Sequence, residues 1–158
     1  MILIEPQNYW IKLLDGGSYR LSTDSGTCKF SKPATLRGTA KLYTLSNSGS
    51  LIYVGIAQQP MSARLNYGLK AKGKAGYHGY KWKHLKQRLR LSIWTIKKYG
   101  SSNPIKELET VEAEVAFLCR QRSGRWPLYQ HEIHFHTSKE SHRRAAEHIY
   151  NHTVIEHA

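Results

Sequence analysis

Tyr43 and Tyr53 each sit within a run of strand-forming residues, and Arg64 follows them in a short amphipathic stretch. Further on, Glu107, Glu109, Glu112 and Glu114 crowd together after a long stretch without any acid. These residue types meet the needs of one kind of chemistry, the attack of water on a phosphodiester. That reaction requires an activated water, cationic support for the crowded phosphate and a leaving oxygen that can accept charge. One glutamate can hold a Mg²⁺ ion, which keeps several of its waters and needs few protein ligands. The chain has no Asp-x-Asp pair, so a single-ion site fits it better than a two-ion one. An arginine can grip two phosphate oxygens through its planar fork. A phenol beside a hydrated ion can relay or accept a proton when nearby cations lower its pKa. Of the glutamates, Glu112 and Glu114 flank the apolar stripe of Val111, Val115, Leu118 and Cys119 on opposite sides, and periodicity leaves the choice between them open.

The charge distribution points to a polyanionic partner. The chain of 158 residues carries a formal net charge of +13. No Asp or Glu occurs between Ser25 and Lys106, a stretch that holds 16 Lys or Arg residues. A cationic block this long beside a compact acidic cluster suits nucleic acid binding around a metal pocket. Lys70, Lys72, Lys74, Lys81, Lys83 and Arg88 are the expected contacts to the DNA backbone, which give affinity and salt dependence without sequence information. No apolar run approaches the roughly 20 residues of a membrane span, and the start has no basic leader, so no membrane association is expected. The two cysteines, Cys28 and Cys119, form no Cys-x-x-Cys pair, which argues against a zinc knuckle or disulfide framework and for a reducing, cytoplasmic setting.

The elements that position these groups are legible as follows. Tyr9, Ile11 and Leu13 alternate, Asp15-Gly16-Gly17-Ser18 is a turn and Tyr19 to Leu21 a return strand, so residues 1–38 read as a β-rich extension. Ala40 to Thr44 and Leu51 to Val54 form a hairpin about the turn cluster 46–50. Pro60 suits a first helical turn, and Met61 to Lys70 reads as a short helix carrying Arg64. Leu85, Leu89, Ile93 and Ile96 have helical spacing, which predicts a helix over Tyr80–Tyr99 ended by Gly100-Ser101-Ser102-Asn103-Pro104. Another helix is expected from about Glu109 to Gln121, a strand at Glu132–Phe135 and a last helix from Ser138. The fold class is α/β of the α+β kind: a small antiparallel sheet flanked by helices. It forms a single domain, with an N-terminal β extension (1–38), a core (39–136) and a C-terminal helical tail (137–158).

The order of these residues resembles the GIY-YIG endonucleases. Those enzymes place two tyrosines on adjacent strands of a small antiparallel sheet, an arginine in the following helix and a glutamate on a later helix. Leu42-Tyr43-Thr44 keeps only the tyrosine of the first signature, with Lys41 and Leu42 in place of its Gly and Ile. Tyr53-Val54-Gly55 matches the second closely. Arg64 takes the arginine position. Glu114, followed by Phe117 and Leu118, fits the family register, so the resemblance favours Glu114 over Glu112 as the metal ligand. The similarity covers roughly residues 39–130. Many members carry His or Tyr four residues after the arginine, where this chain has Gly68, and some carry a lysine where Ile56 stands. The resemblance offers His78 as a substitute proton carrier and Gln130 in place of a family asparagine.

The resemblance therefore implies a DNA endonuclease dependent on Mg²⁺ or Mn²⁺, with RNA not excluded. Tyr43, Tyr53, Arg64, His78 and Glu114 are its expected catalytic residues. The additions to the core are small, so modest specificity, or a protein partner or dimer that supplies target choice, is expected. Two alternatives compete with it. His134-Phe135-His136, read as a strand with both histidines on one side, resembles the metal motif of relaxases, with Tyr150 as covalent nucleophile. A non-catalytic nucleic-acid-binding domain is the other.

Overall fold

The computed structural model of the protein describes residues 2–98 and 103–155. The chain is an α+β fold whose six strands form one antiparallel sheet: β1 (Ile2–Leu13), β2 (Tyr19–Thr23), β3 (Gly26–Thr27), β4 (Lys41–Asn47), β5 (Ser50–Ala57) and β6 (Leu89–Lys98). Their spatial order is β3-β2-β1-β6-β4-β5. Among the described residues three α-helices complete it: α1 (Met61–Lys70), α2 (Pro104–Ser123) and α3 (Glu140–Ile155). Among the described residues no helix is long and apolar enough to cross a membrane.

Each sheet face closes over its own core. On one face Ile11, Leu13, Tyr43, Leu45, Leu89, Leu91 and Ile93 pack against Met61, Leu65 and Leu69 of α1 and against Trp82. On the other, Leu42, Val54, Trp94 and Ile96 meet Leu108, Val111 and Val115 of α2 and Ala146 and Ile149 of α3. Truncating a fully buried ring such as Trp82 or Trp94 in a core of this kind costs about 3–5 kcal/mol.

The N-terminal extension is built into the sheet. β1 pairs with β6 from Ile2↔Lys98 to Ile11↔Leu89 and carries β2 and β3 on its far side. The hairpin expected about residues 46–50 forms as β4 and β5, and α1 forms with the bounds expected of it.

The segment expected to be a helix over Tyr80–Tyr99 is instead, over residues 80–98, a turn followed by strand β6, and Tyr99 lies outside the described residues. β6 lies between β1 and β4 and is covered on both faces, with Leu89, Leu91 and Ile93 in one core and Trp94 and Ile96 in the other. A strand buried on both faces reads as a near-continuous apolar run, and such a run also satisfies a helical template. Gly100, Ser101 and Ser102 of the expected terminating turn lie outside the described residues. Its last two residues begin α2: the Asn103 side chain accepts from Lys106 N at 3.1 Å, and Pro104 is the first helical residue. Pro at that position loses no hydrogen bond, so the helix starts five residues before Glu109. The strand expected at Glu132–Phe135 does not form, and the chain there is irregular.

Lys41, in the place of the first signature's glycine, is fully buried. Its ammonium donates to the carbonyls of Leu36 (2.8 Å), Thr39 (2.7 Å) and Gln59 (3.0 Å), so it ties the entry of β4 to the exit of β5. Burial lowers its pKa to about 8.

Candidate active site

Register brings the two signature tyrosines together. Tyr43 on β4 pairs with Gly55 on β5, and Leu45 pairs with Tyr53. Both phenols join the core on the α1 side, with ring centroids 5.8 Å apart at 45°. Gly55 lies under the pair. A Cβ there would stand 2.7 Å from Tyr53 Oη and 2.9 Å from Tyr43 Cζ. The glycine of the second signature is therefore a packing requirement: the hydroxyls occupy the space of a side chain.

Arg64 enters from the first turn of α1. Its guanidinium lies 4.7 Å over the ring of Tyr80, and Nη1 donates to Tyr77 Oη at 3.1 Å. Tyr80 is a residue that sequence reasoning missed. It is almost fully buried, its hydroxyl shares a 2.7 Å hydrogen bond with that of Tyr43, and its ring stacks on Trp82 at 4.4 Å. Two glycines admit it. Gly79 adopts a left-handed φ of +78°, and Gly68 has no side chain where the loop folds back on α1. Tyr80 N donates to Gly68 O at 3.0 Å, and a Cβ on Gly68 would lie 2.2 Å from Tyr80 Cε2. Position 68 is where the resemblance calls for His or Tyr. Here an aromatic ring reaches that space from the loop rather than from the helix.

A histidine not among the expected catalytic residues, His131, packs against Tyr53. His131 meets Tyr53 edge-on at 6.0 Å, and its Nε2 is buried without a hydrogen-bond partner among the described residues. Burial, then the charges of Lys81 and Arg64, hold its pKa below the ordinary imidazole value. His78 is exposed and lies beside Gly73. Loop histidines give no periodic signal, and only the fold shows that residues 129–131 run along the free edge of β5. There Tyr129 N donates to Ile52 O (2.9 Å), while Gln130 accepts from Val54 N (3.0 Å) and donates to Val54 O (2.8 Å). Gln130 thus closes a sheet edge that would otherwise present unpaired groups.

Of the acids on α2, Glu112 is the one whose charge acts on Tyr53. It is partly buried, and burial, then the charge of Glu109, raises its pKa to about 8. Its own charge in turn raises the pKa of Tyr53. Glu114, the ligand favoured by the family register, lies about 200° further round the helix. It shares a side of α2 with Glu107, one heptad earlier, and Glu107 meets His142 of α3 at 2.5 Å. Glu109, on the same side as Glu112, bonds His136 Nε2 at 2.7 Å.

Glu112 makes stability depend on pH in a way that can be measured. From about pH 4.5 to 8 the unfolded chain releases the proton that folded Glu112 retains, so the parent loses stability as pH rises through that window. Glu112→Gln removes this loss. Thermal or urea unfolding without metal should show Glu112→Gln more stable than the parent by on the order of 2 kcal/mol at pH 8, a figure reduced for partial solvent contact. The gain should vanish near pH 4.5. A pH-independent difference would contradict the burial of this carboxyl.

The phenols carry the opposite balance from that expected. Arg64 does lower the pKa of Tyr43, Tyr53 and Tyr80, but burial outweighs it and all three stand above the ordinary phenol value. They are therefore neutral donors at neutral pH.

The expected DNA contacts divide. Lys70, Lys72 and Lys74 are exposed, and Lys81, also exposed, donates to Gln130 O at 3.3 Å. Lys83 is committed to the loop, since its ammonium donates to Ala71 O (2.9 Å) and His78 O (2.5 Å). Arg88 stacks on Trp10 at 4.2 Å. His134 and His136 lie in irregular chain rather than on a strand, and Tyr150 packs in the α2–α3 core, so the geometry required for the relaxase alternative is not formed. Among the described residues no group of three or more His, Cys, Asp or Glu is placed to hold a metal ion. No protein-family model, curated protein or solved structure matches the chain.

Proposed function

We propose that the protein is a metal-dependent endonuclease of the GIY-YIG kind that hydrolyses phosphodiester bonds in DNA. One observation carries the reading: Tyr43, Tyr53 and Arg64 meet around Tyr80, with His131 against Tyr53, although they come from two strands, one helix and two loops, and the charge of Glu112 on α2 acts on Tyr53. The central position of β4 between β5 and β6 supports it, since adjacent antiparallel strands then carry both tyrosines.

The residues fit a hydrated Mg²⁺ or Mn²⁺. Glu112 is a partly buried carboxyl with no paired cation among the described residues, and burial, then the charge of Glu109, raises its pKa. Mg²⁺ needs only one or two protein carboxylates, so Glu112 could serve as its protein ligand. When bound, the ion would polarise a phosphate oxygen and acidify water. The remaining chemistry belongs to the chain. Arg64, held by Tyr77 and Tyr80, pairs with phosphate oxygens. Tyr43, fully buried, acts through its hydrogen bond to Tyr80, and the neutral phenol of Tyr53 is the one that donates towards water or phosphate. His131, kept neutral by burial and by neighbouring cations, offers the unpartnered Nε2 as proton acceptor, a role to which phenols of raised pKa are less suited.

Incubation of supercoiled plasmid with the purified protein tests the reading. Nicked or linear product should appear with Mg²⁺ or Mn²⁺, disappear with EDTA and carry no covalently attached protein. A protein–DNA adduct, or binding without product under every metal tried, would refute it.

A further inference from the structure

The outer side of α1 and the loop behind it carry an exposed aromatic pair beside the candidate active site. Tyr67 is 59% exposed. Its ring lies parallel to that of Tyr77, with centroids 4.8 Å apart and planes 10° from coincidence. The two rings, with Asn66, Lys70, Lys72 and Lys74, line an open depression of about 750 Å³. All three lysines are exposed. The pair is also joined to the candidate active site, because Tyr77 Oη accepts from Arg64 Nη1.

An exposed aromatic ring stacked on a second one, with cations around it, has the makings of a base-binding surface. Stacking on an aromatic side chain is open to any base, while lysines follow the flanking phosphates. Bases inside an intact duplex are already stacked on their neighbours and cannot offer a face. Only a bulged, gapped or extruded nucleotide can, and extrusion is cheapest where pairing is already lost.

We infer that Tyr67, backed by Tyr77 and flanked by Lys70, Lys72 and Lys74, is a stacking platform for one unpaired nucleobase. The preferred substrate is then DNA with unpaired nucleotides beside the scissile phosphate. The site itself is a binding site; its link to cleavage rests on the endonuclease reading.

The test uses the whole protein in EDTA and a duplex oligonucleotide bearing a single bulged 2-aminopurine, beside a fully paired duplex of equal length. The parent should bind the bulged duplex more tightly and alter the probe's fluorescence. Tyr67→Ala should weaken binding to the bulged duplex roughly 10-fold, within the range for loss of one base–aromatic stack. Binding of the paired duplex should stay unchanged, which also reports that the variant is folded. Tyr67→Phe keeps the ring and should bind like the parent. Equal affinity of Tyr67→Ala and parent for the bulged duplex, or equal loss on both duplexes, overturns the platform. Because no cutting occurs in EDTA, the two readings fail separately. A Tyr67-dependent contrast without any metal-dependent cleavage sinks the nuclease and keeps the platform, and cleavage without the contrast does the reverse.

Discussion

Glu112→Gln should lower the rate of plasmid nicking by at least about 10³-fold, while Glu114→Gln stays within a few-fold of the parent. A metal ion contributes several kcal/mol to the stabilisation of transition-state charge, and each 1.4 kcal/mol is a factor of ten in rate. Glutamine keeps the size of the side chain and removes the negative charge, so the loss reports ligation rather than packing. Glu114 lies on the side of α2 shared with Glu107, which meets α3 through His142, and its replacement leaves the surroundings of Tyr53 untouched. The contrast has a second signature. Glu112→Gln should gain stability at pH 8 in the absence of metal while losing activity, the trade-off expected of an acid held at a cost for function. Metal-binding calorimetry at pH 7 should show proton release by the parent, because ligation displaces the proton that Glu112 retains up to about pH 8. If Glu114→Gln were the dead variant and Glu112→Gln active, the assignment made from the fold would fail and the register of the family motif would prevail.

Gly68→Ala tests the other unusual construction, the ring that reaches the helix from a loop. In an exposed helix the substitution should stabilise by up to about 1 kcal/mol, since alanine has the better propensity. At position 68 the added Cβ would lie 2.2 Å from Tyr80, whose ring is clamped between Arg64 and Trp82. Overpacking of this kind costs about 1–3 kcal/mol or more, so sterics win and the net effect should be a loss near 2 kcal/mol. Activity should fall as well, by on the order of 10²-fold, because displacing Tyr80 moves both the Tyr43 hydroxyl and the Arg64 guanidinium. A double-mutant cycle separates the causes. In a Tyr80→Gly background, Gly68→Ala should no longer destabilise and should recover the ordinary helical gain. A Gly68→Ala variant as stable and active as the parent would show that Tyr80 does not occupy this space.

Local order was readable in the chain wherever a signal is local. The hairpin of β4 and β5 follows from two strand-forming runs about the turn at residues 46–50, and α1 from Pro60 and the pattern behind it. The tyrosine pair and Arg64 were legible for the same reason, because hairpin register and the first turn of the next helix place them within a short span. The cationic loop after α1 was evident from composition alone.

What residues 80–99 would become was not readable. The same apolar spacing serves a helix and a strand covered on both sides, and only the insertion of β6 between β1 and β4 decides the matter. The choice between Glu112 and Glu114 is of the same kind. Two residues on opposite flanks of a helix are equivalent until another element shows which flank it faces. Tyr80 and His131 were invisible for a further reason: both depend on loops that double back, one over two glycines and the other along the edge of β5. The sequence by itself determined which chemical groups were available and which of them sat on regular elements, because propensity and periodicity act over a few residues. The tertiary structure alone brought Tyr80 against Tyr43 and His131 against Tyr53, because those contacts join residues dozens of positions apart and depend on where steric space was left open.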